Sequence, residues 1–191
     1  MHQDIEEILI SEAEIQQKTL ELGKQISVDY AGKSLLLLGT LKGAVPFIAD
    51  LARAIDLPLE LDYMAVSSYG ASTQSSGIVR IIKDLEGPID HKHILIIEDI
   101  IDSGLTLHYL VDLIQRRNPL SLRLCSLLVK DRPRLKDVPI DYYGFRIPDK
   151  FVVGYGLDYA QYYRNLPYIG ILKPSVYEGT KPETEHQSPA E

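Results

Sequence analysis

An α/β fold, with a mostly parallel central sheet flanked by helices, is what three features of this sequence predict. Continuous apolar runs of strand length recur at residues 34–41, 93–97 and 122–129, as strands buried on both faces require. Segments with apolar residues at helical spacing alternate with those runs, the pattern of strand–helix–strand units. The chain has 191 residues, 45% hydrophobic and 8% aromatic, enough for a three-layer core in one domain.

The elements follow in order. Ser11 and Glu14 have capping-box spacing, and Ile15, Thr19, Leu22 and Ile26 then recur on one helical face, so a first helix is expected to about Val28. Residues 34–41 read as a buried strand that Gly43 breaks, and residues 44–55 as a helix with Pro46 in its first turn. Residues 59–67 and 78–85 read as strands. The segment between them, SYGASTQSSG, is almost free of apolar residues and reads as a mobile loop, so an antiparallel hairpin is expected there. Residues 93–97 form another buried strand, Leu107, Leu110, Val111 and Ile114 give a helix its apolar face, and residues 122–129, 142–147 and 168–172 read as strands. Residues 1–173 are expected to form the domain. From Pro174 the chain is polar and proline-rich, which reads as a frayed tail, residues 174–191.

Composition excludes several classes. The net charge of −7 argues against a nucleic-acid surface, which needs clustered Lys and Arg. The single cysteine, Cys125, lies in an apolar run and allows no internal disulfide. The acidic, mixed N-terminus is neither a signal nor a transit peptide. No apolar run approaches the ~18 residues of a membrane span. A cytoplasmic protein without a membrane partner is expected.

The stretch EDIIDSGLTL, residues 98–107, sits at the carboxyl end of a buried strand and opens a helix, where ligands bind in open α/β sheets. Its second half suits a phosphate: helix N-terminal N–H groups carry partial positive charge, Gly104 permits close approach, and Ser103 and Thr106 add hydroxyls. Glu98, Asp99 and Asp102 repel phosphate but accept hydrogen bonds from vicinal hydroxyls, and Mg²⁺ bound with a ligand reverses the local field. A ribose 5-phosphate moiety satisfies both halves. A plainer reading competes, in which these acids only complement the helix dipole. Neither a P-loop nor a dinucleotide fingerprint is present.

ILIIEDIIDSGLTL resembles the phosphoribosyl pyrophosphate (PRPP) motif of type I phosphoribosyltransferases. LKGAVPF (41–47) resembles the pyrophosphate loop of the 6-oxopurine members, SSYG (67–70) their flexible lid, and SLLVKDRP (126–133) with residues 147–172 their base-recognition strand and hood. The resemblance, to the hypoxanthine-guanine phosphoribosyltransferases, spans residues 36–172. It implies the type I phosphoribosyltransferase fold, with a hairpin lid and a small hood. It also implies Mg²⁺-dependent purine salvage: transfer of the phosphoribosyl group from PRPP to hypoxanthine or guanine, giving IMP or GMP and pyrophosphate.

Residue by residue, the resemblance implies that Glu98 and Asp99 face the ribose and, with Asp158, the metal. Asp102 is the acid/base at purine N7. Ser103, Gly104, Leu105 and Thr106 cradle the 5-phosphate; Leu105 stands where relatives often carry Lys. Leu41, Lys42, Gly43 and Arg164 meet pyrophosphate, across a cis Leu41–Lys42 peptide. Ser68 and Tyr69 belong to the lid. Lys130 reads the 6-oxo group, Phe151 stacks on the base, the Val152 backbone reads its edge, and Lys150 and Asp158 complete the base site. A homo-oligomer, dimer or tetramer, is implied as well. Taken singly, Phe151 reads as core, Lys130 as a strand-end lysine, Asp158 as a helix cap, Arg164 as the partner of a surface acid, and His91 and His93 as a solvated turn. A PRPP-sensing regulator and an enzyme for another base are the rival readings. The acidic chain lacks the basic face of the first, and Lys130 and residues 150–152 argue against the second.

Overall fold

A computed structural model describes residues 1–68 and 79–177. Its centre is a six-stranded sheet of β2 (Leu35–Thr40), β3 (Leu59–Ser68), β4 (Val79–Lys83), β5 (His93–Ile101), β6 (Ser121–Lys130) and β7 (Tyr142–Ile147), in the order β4-β3-β2-β5-β6-β7. All neighbours run parallel except β3 and β4, which form the expected antiparallel hairpin. The expected lid falls almost wholly on residues outside those described: Tyr69 lies there, and Ser68 is the last residue of β3.

The sheet is covered on both faces because its strands alternate two apolar sets. Leu35, Leu37, Leu95 and Ile97 pack with α1 (Glu12–Asp29) and α2 (Val45–Ala54). Leu36, Leu38, Ile94 and Ile96 pack with Leu107, Leu110 and Ile114 of α3 (Leu105–Gln115). α1 starts at the expected capping box: the Ser11 hydroxyl accepts from Glu14 N–H, and Glu14 Oε2 accepts from Ser11 N–H at 2.8 Å. Its buried stripe includes all four residues named from their spacing. Cys125 is fully buried, and burial pushes its thiol above the ordinary range. Among the described residues, no helix is long and apolar enough to cross a membrane.

One strand was not anticipated and three expectations are corrected. β1 (Ile5–Ile10), unmarked by any alternation, pairs antiparallel with β9 (Ile169–Leu172), which pairs with β8 (Val152–Val153) to complete a small hood sheet. β1 is legible only from its partner, since all but Ile10 stay partly or fully exposed. β5 does not stop at Ile97 but continues through the acidic stretch to Ile101, held by β6. His93 is no solvated turn: it opens β5, with Nδ1 2.7 Å from Ser121 Oγ. Finally, the expected tail does not begin at Pro174, and its remainder, residues 178–191, lies outside those described. Residues Pro174–Tyr177 form one turn, α4, because Val176 and Tyr177 pack on Val153, Leu166 and Leu172, and Lys173 N–H donates to Asp4 O at 2.9 Å.

Candidate active site

The extension of β5 places the acids. Glu98 continues the face of Ile94 and Ile96, and Asp99 that of Leu95 and Ile97. β2 pairs with β5 only as far as Gly39 and Ile97, so beyond that point the β2 side is open. Both carboxylates therefore meet one cavity of about 220 Å³, shared with Thr40, Lys42, Gly43, Asp158 and Arg164. Glu98 Oε2 accepts a hydrogen bond from the Thr40 hydroxyl. Burial pushes the Glu98 carboxyl up to about 8, helped by the Asp99 charge and opposed by Thr40. Burial also raises Asp99, against the pull of the Ile100 N–H and the Arg164 cation.

Gly43 makes this packing possible, since a Cβ there would lie 1.6 Å from Asp99 Oδ2. The Leu41–Lys42 peptide is cis, as expected. Arg164 is oriented by Asp158, 2.7 Å from its Nη2, and donates from Nη1 to Gly156 O at 2.7 Å. Its Nε is buried without a hydrogen-bond partner among the described residues. Asp158 does not cap a helix; its Oδ2 accepts from Gln161 N–H at 2.8 Å. Among the described residues, Lys42 Nζ makes only a long 3.4 Å contact to Gln161. Two cations with unspent donors make this end suited to a polyanion.

A second cavity, of about 230 Å³, adjoins the first at Glu98 and Thr106 and is lined by Asp102, Ser103 and Gly104. Gly104 precedes α3 with φ +78°, and a Cβ would meet Lys136 O at 2.5 Å, so only glycine fits. Among the described residues, Gly104 gives α3 no side-chain cap, and Leu105 N–H makes only a long 3.5 Å bond to Ser103 Oγ, an arrangement suited to an anion at the first turn. Leu105, 39% exposed, brings no charge.

Beside this cavity stands a quartet of charges. Lys130 Nζ lies 3.3 Å from Asp102 Oδ2 and 3.1 Å from Asp149 Oδ1, while Arg132 lies 2.9 Å from Asp102 Oδ1 and 3.3 Å from Asp149 Oδ2. Asp102 Oδ1 is nonetheless a buried acceptor without an aligned hydrogen bond among the described residues. Arg132, Asp149 and Thr40 were missed in the sequence. The alternating signs of Lys130, Asp131 and Arg132 were the available signal for Arg132. Phe151 and Val152 follow on the hood. Val152 is buried and paired with Ile171; Phe151 is 38% exposed. Lys150 is exposed, with its N–H donating to Pro148 O at 2.8 Å. None of these three lines either cavity.

The phosphoribosyl transferase domain model matches residues 4–160. The chain is 58% identical to the hypoxanthine-guanine phosphoribosyltransferase of Bacillus subtilis (strain 168) over 178 residues, which is 93% of this chain and 99% of that protein. The chain belongs to the hypoxanthine-guanine phosphoribosyltransferase family. The Streptococcus mutans hypoxanthine-guanine phosphoribosyltransferase is 50% identical over 93% of this chain and 98% of its own. The crystal structure of a Staphylococcus aureus hypoxanthine phosphoribosyltransferase superposes with a TM-score of 0.90, at 51% identity, over 93% of this chain and 96% of that one. Family membership accounts for the mostly parallel sheet with its flanking helices and for the placing of the acidic motif on β5. The acids and Arg164 that the family motifs single out thus meet in one groove, from Lys42 to Gly104.

Proposed function

We propose that the chain is a Mg²⁺-dependent purine-salvage transferase. It moves the 5-phosphoribosyl group from PRPP to hypoxanthine or guanine and releases IMP or GMP with pyrophosphate. The observation that carries this is the pair of adjoining cavities, with half-buried Glu98 where they meet, Asp99 beside it in the first, and anion-binding groups along both. An activated sugar phosphate has that charge pattern: anionic at C1 and C5, neutral and hydroxylated between.

In this reading Lys42, Gly43 and Arg164 receive the pyrophosphate, and the first turn of α3 with Ser103 and Thr106 holds the 5-phosphate. Leu105 leaves that phosphate to backbone and hydroxyl donors. Glu98 and Asp99 accept from the ribose hydroxyls. Asp102 holds or moves the proton at purine N7. Lys130 has three N–H donors, two directed to Asp102 and Asp149, and the third serves the 6-oxo group. That donor meets another donor in adenine's 6-amino group and so disfavours it. Phe151 stacks on the base, with Val152 and Lys150 at its edge.

The residues fit Mg²⁺ as a companion of the substrate. Among the described residues, no three acidic, histidine or cysteine side chains form a ready metal cluster. Mg²⁺ ordinarily takes one or two carboxylates and completes its shell with phosphates and water, and Glu98, Asp99 and Asp158 line the cavity. When bound, the ion neutralises charge developing on the departing pyrophosphate. The enzyme is read as cytoplasmic and as a homo-oligomer.

The test is a spectrophotometric assay of the purified protein with PRPP, Mg²⁺ and each of hypoxanthine, guanine, xanthine, adenine and uracil. Turnover of hypoxanthine or guanine, with adenine and uracil inert, is expected. Preference for adenine or uracil would refute the base assignment.

A further inference from the structure

We infer that Tyr177, in the turn α4, is a positioning residue for base binding that acts by fixing the plane of Phe151. The inference rests on the reading that Phe151 stacks on the purine. The Phe151 and Tyr177 rings are stacked, with centroids 5.0 Å apart and planes 24° from parallel. Tyr159 meets Phe151 edge-on at 5.7 Å and 86°, and Tyr177 at 6.5 Å and 64°. Phe151 is thus held by one ring on a face and another at its side, yet stays 38% exposed, which leaves surface for a flat ligand.

A ring with a free χ2 torsion gains little from stacking on a base until its plane is set. The backbone supplies only part of that setting: Phe151 O accepts from Leu172 N–H at 3.0 Å, which fixes the main chain and not the ring. Tyr177 is anchored independently of any ligand, through the turn at Pro174 and its packing, with Val176, on Val153, Leu166 and Leu172. Base, Phe151 and Tyr177 then form a three-layer stack whose outermost member comes from the C-terminal segment. Offset aromatic pairs contribute enough for a change of about twofold to tenfold in affinity.

The experiment compares Tyr177→Ala, Tyr177→Phe, Phe151→Ala and the double variant Phe151→Ala/Tyr177→Ala, with thermal melts on each. Tyr177→Ala should raise the hypoxanthine KM by about twofold to tenfold with the PRPP KM within about twofold, and Tyr177→Phe should restore it. In the double variant the hypoxanthine KM should equal that of Phe151→Ala alone, because Tyr177 acts through that ring. A general loss of packing would instead move both KM values and add in the double variant, which overturns the inference. Should Phe151→Ala raise the hypoxanthine KM while Tyr177→Ala does not, the inference fails and base stacking stands. Should Phe151→Ala itself leave that KM unchanged, both fail. If Tyr177→Ala does not fold, Tyr177→Leu keeps apolar bulk without a ring and is held to the same outcomes.

Discussion

Arg132 Nε lies 2.9 Å from Asp102 Oδ1, and the same guanidinium reaches Asp149 at 3.3 Å through Nη1. Arg132 therefore ties the end of β5 to the loop before β8, which carries Phe151. Its side chain is 35% exposed and those of the two acids 44% and 46%, so the pairs add no more than about 1 kcal/mol to stability. Their effect on geometry is larger, since an acid/base group must sit within hydrogen-bond reach of its proton. Arg132→Ala is expected to lower kcat/KM for hypoxanthine about tenfold while shifting Tm little. A large fall in Tm with unaltered kcat/KM in the folded fraction would reverse this assignment.

Asp102 is the acid that the quartet holds beside the second cavity, with Oδ1 buried and unaligned to any donor. Asp102→Asn keeps the shape and removes the proton chemistry proposed for this side chain. A fall in kcat of about 10²–10⁴-fold is expected, with the PRPP KM within about twofold. Steady-state kinetics decide it: unchanged kcat would remove the acid/base role.

Lys130 is only 13% exposed and sits between two carboxylates. Lys130→Ala removes the donor proposed for the 6-oxo group and leaves both acids to Arg132 among the described residues. The hypoxanthine KM should rise by about tenfold or more, far more than the PRPP KM. Equal rises in both would mean that the lysine supports the site as a whole and does not read the base.

The central sheet was legible because strands buried on both faces leave unbroken apolar runs, as in residues 35–39 and 94–97, all buried. β1 was not, because an exposed hood strand of Ile and Glu leaves no such run and forms only where β9 supplies its partner. The acidic motif was legible as a ligand-site candidate from its place between a buried strand and a helix, but not that Glu98 and Asp99 lie on the strand itself, since carboxylates depress strand propensity and only pairing with β6 overrides it. Arg132 and Asp149 are 17 residues apart and meet only through folding, so neither stood out. Tyr177 looked like tail because its neighbours are polar and proline-rich, whereas two apolar side chains suffice to dock one turn.

Glu98 gives a pH-dependent test on the ligand-free protein. Its carboxyl is raised by burial from 4.5 to about 8, so the fold favours the protonated form. The stability this contributes is fully present below the unfolded value and is lost as pH rises through the folded one. Between about pH 5 and pH 8 the protein should therefore lose stability as Glu98 ionises, and Asp99, raised as well, acts in the same direction. Glu98→Gln cannot ionise and keeps an acceptor for the Thr40 hydroxyl. Its Tm should match the wild type near pH 4.5 and exceed it at pH 8, a gain of about 1 kcal/mol or more, seen as roughly 2–4 °C for each kcal/mol in a domain of this size. The same variant should lose affinity for PRPP with Mg²⁺, because the carboxylate whose burial destabilises the free protein is the one proposed to grip the sugar and its ion. A Tm difference that is flat with pH, or a variant less stable at pH 8, would mean that Glu98 is not held in an ion-excluding site.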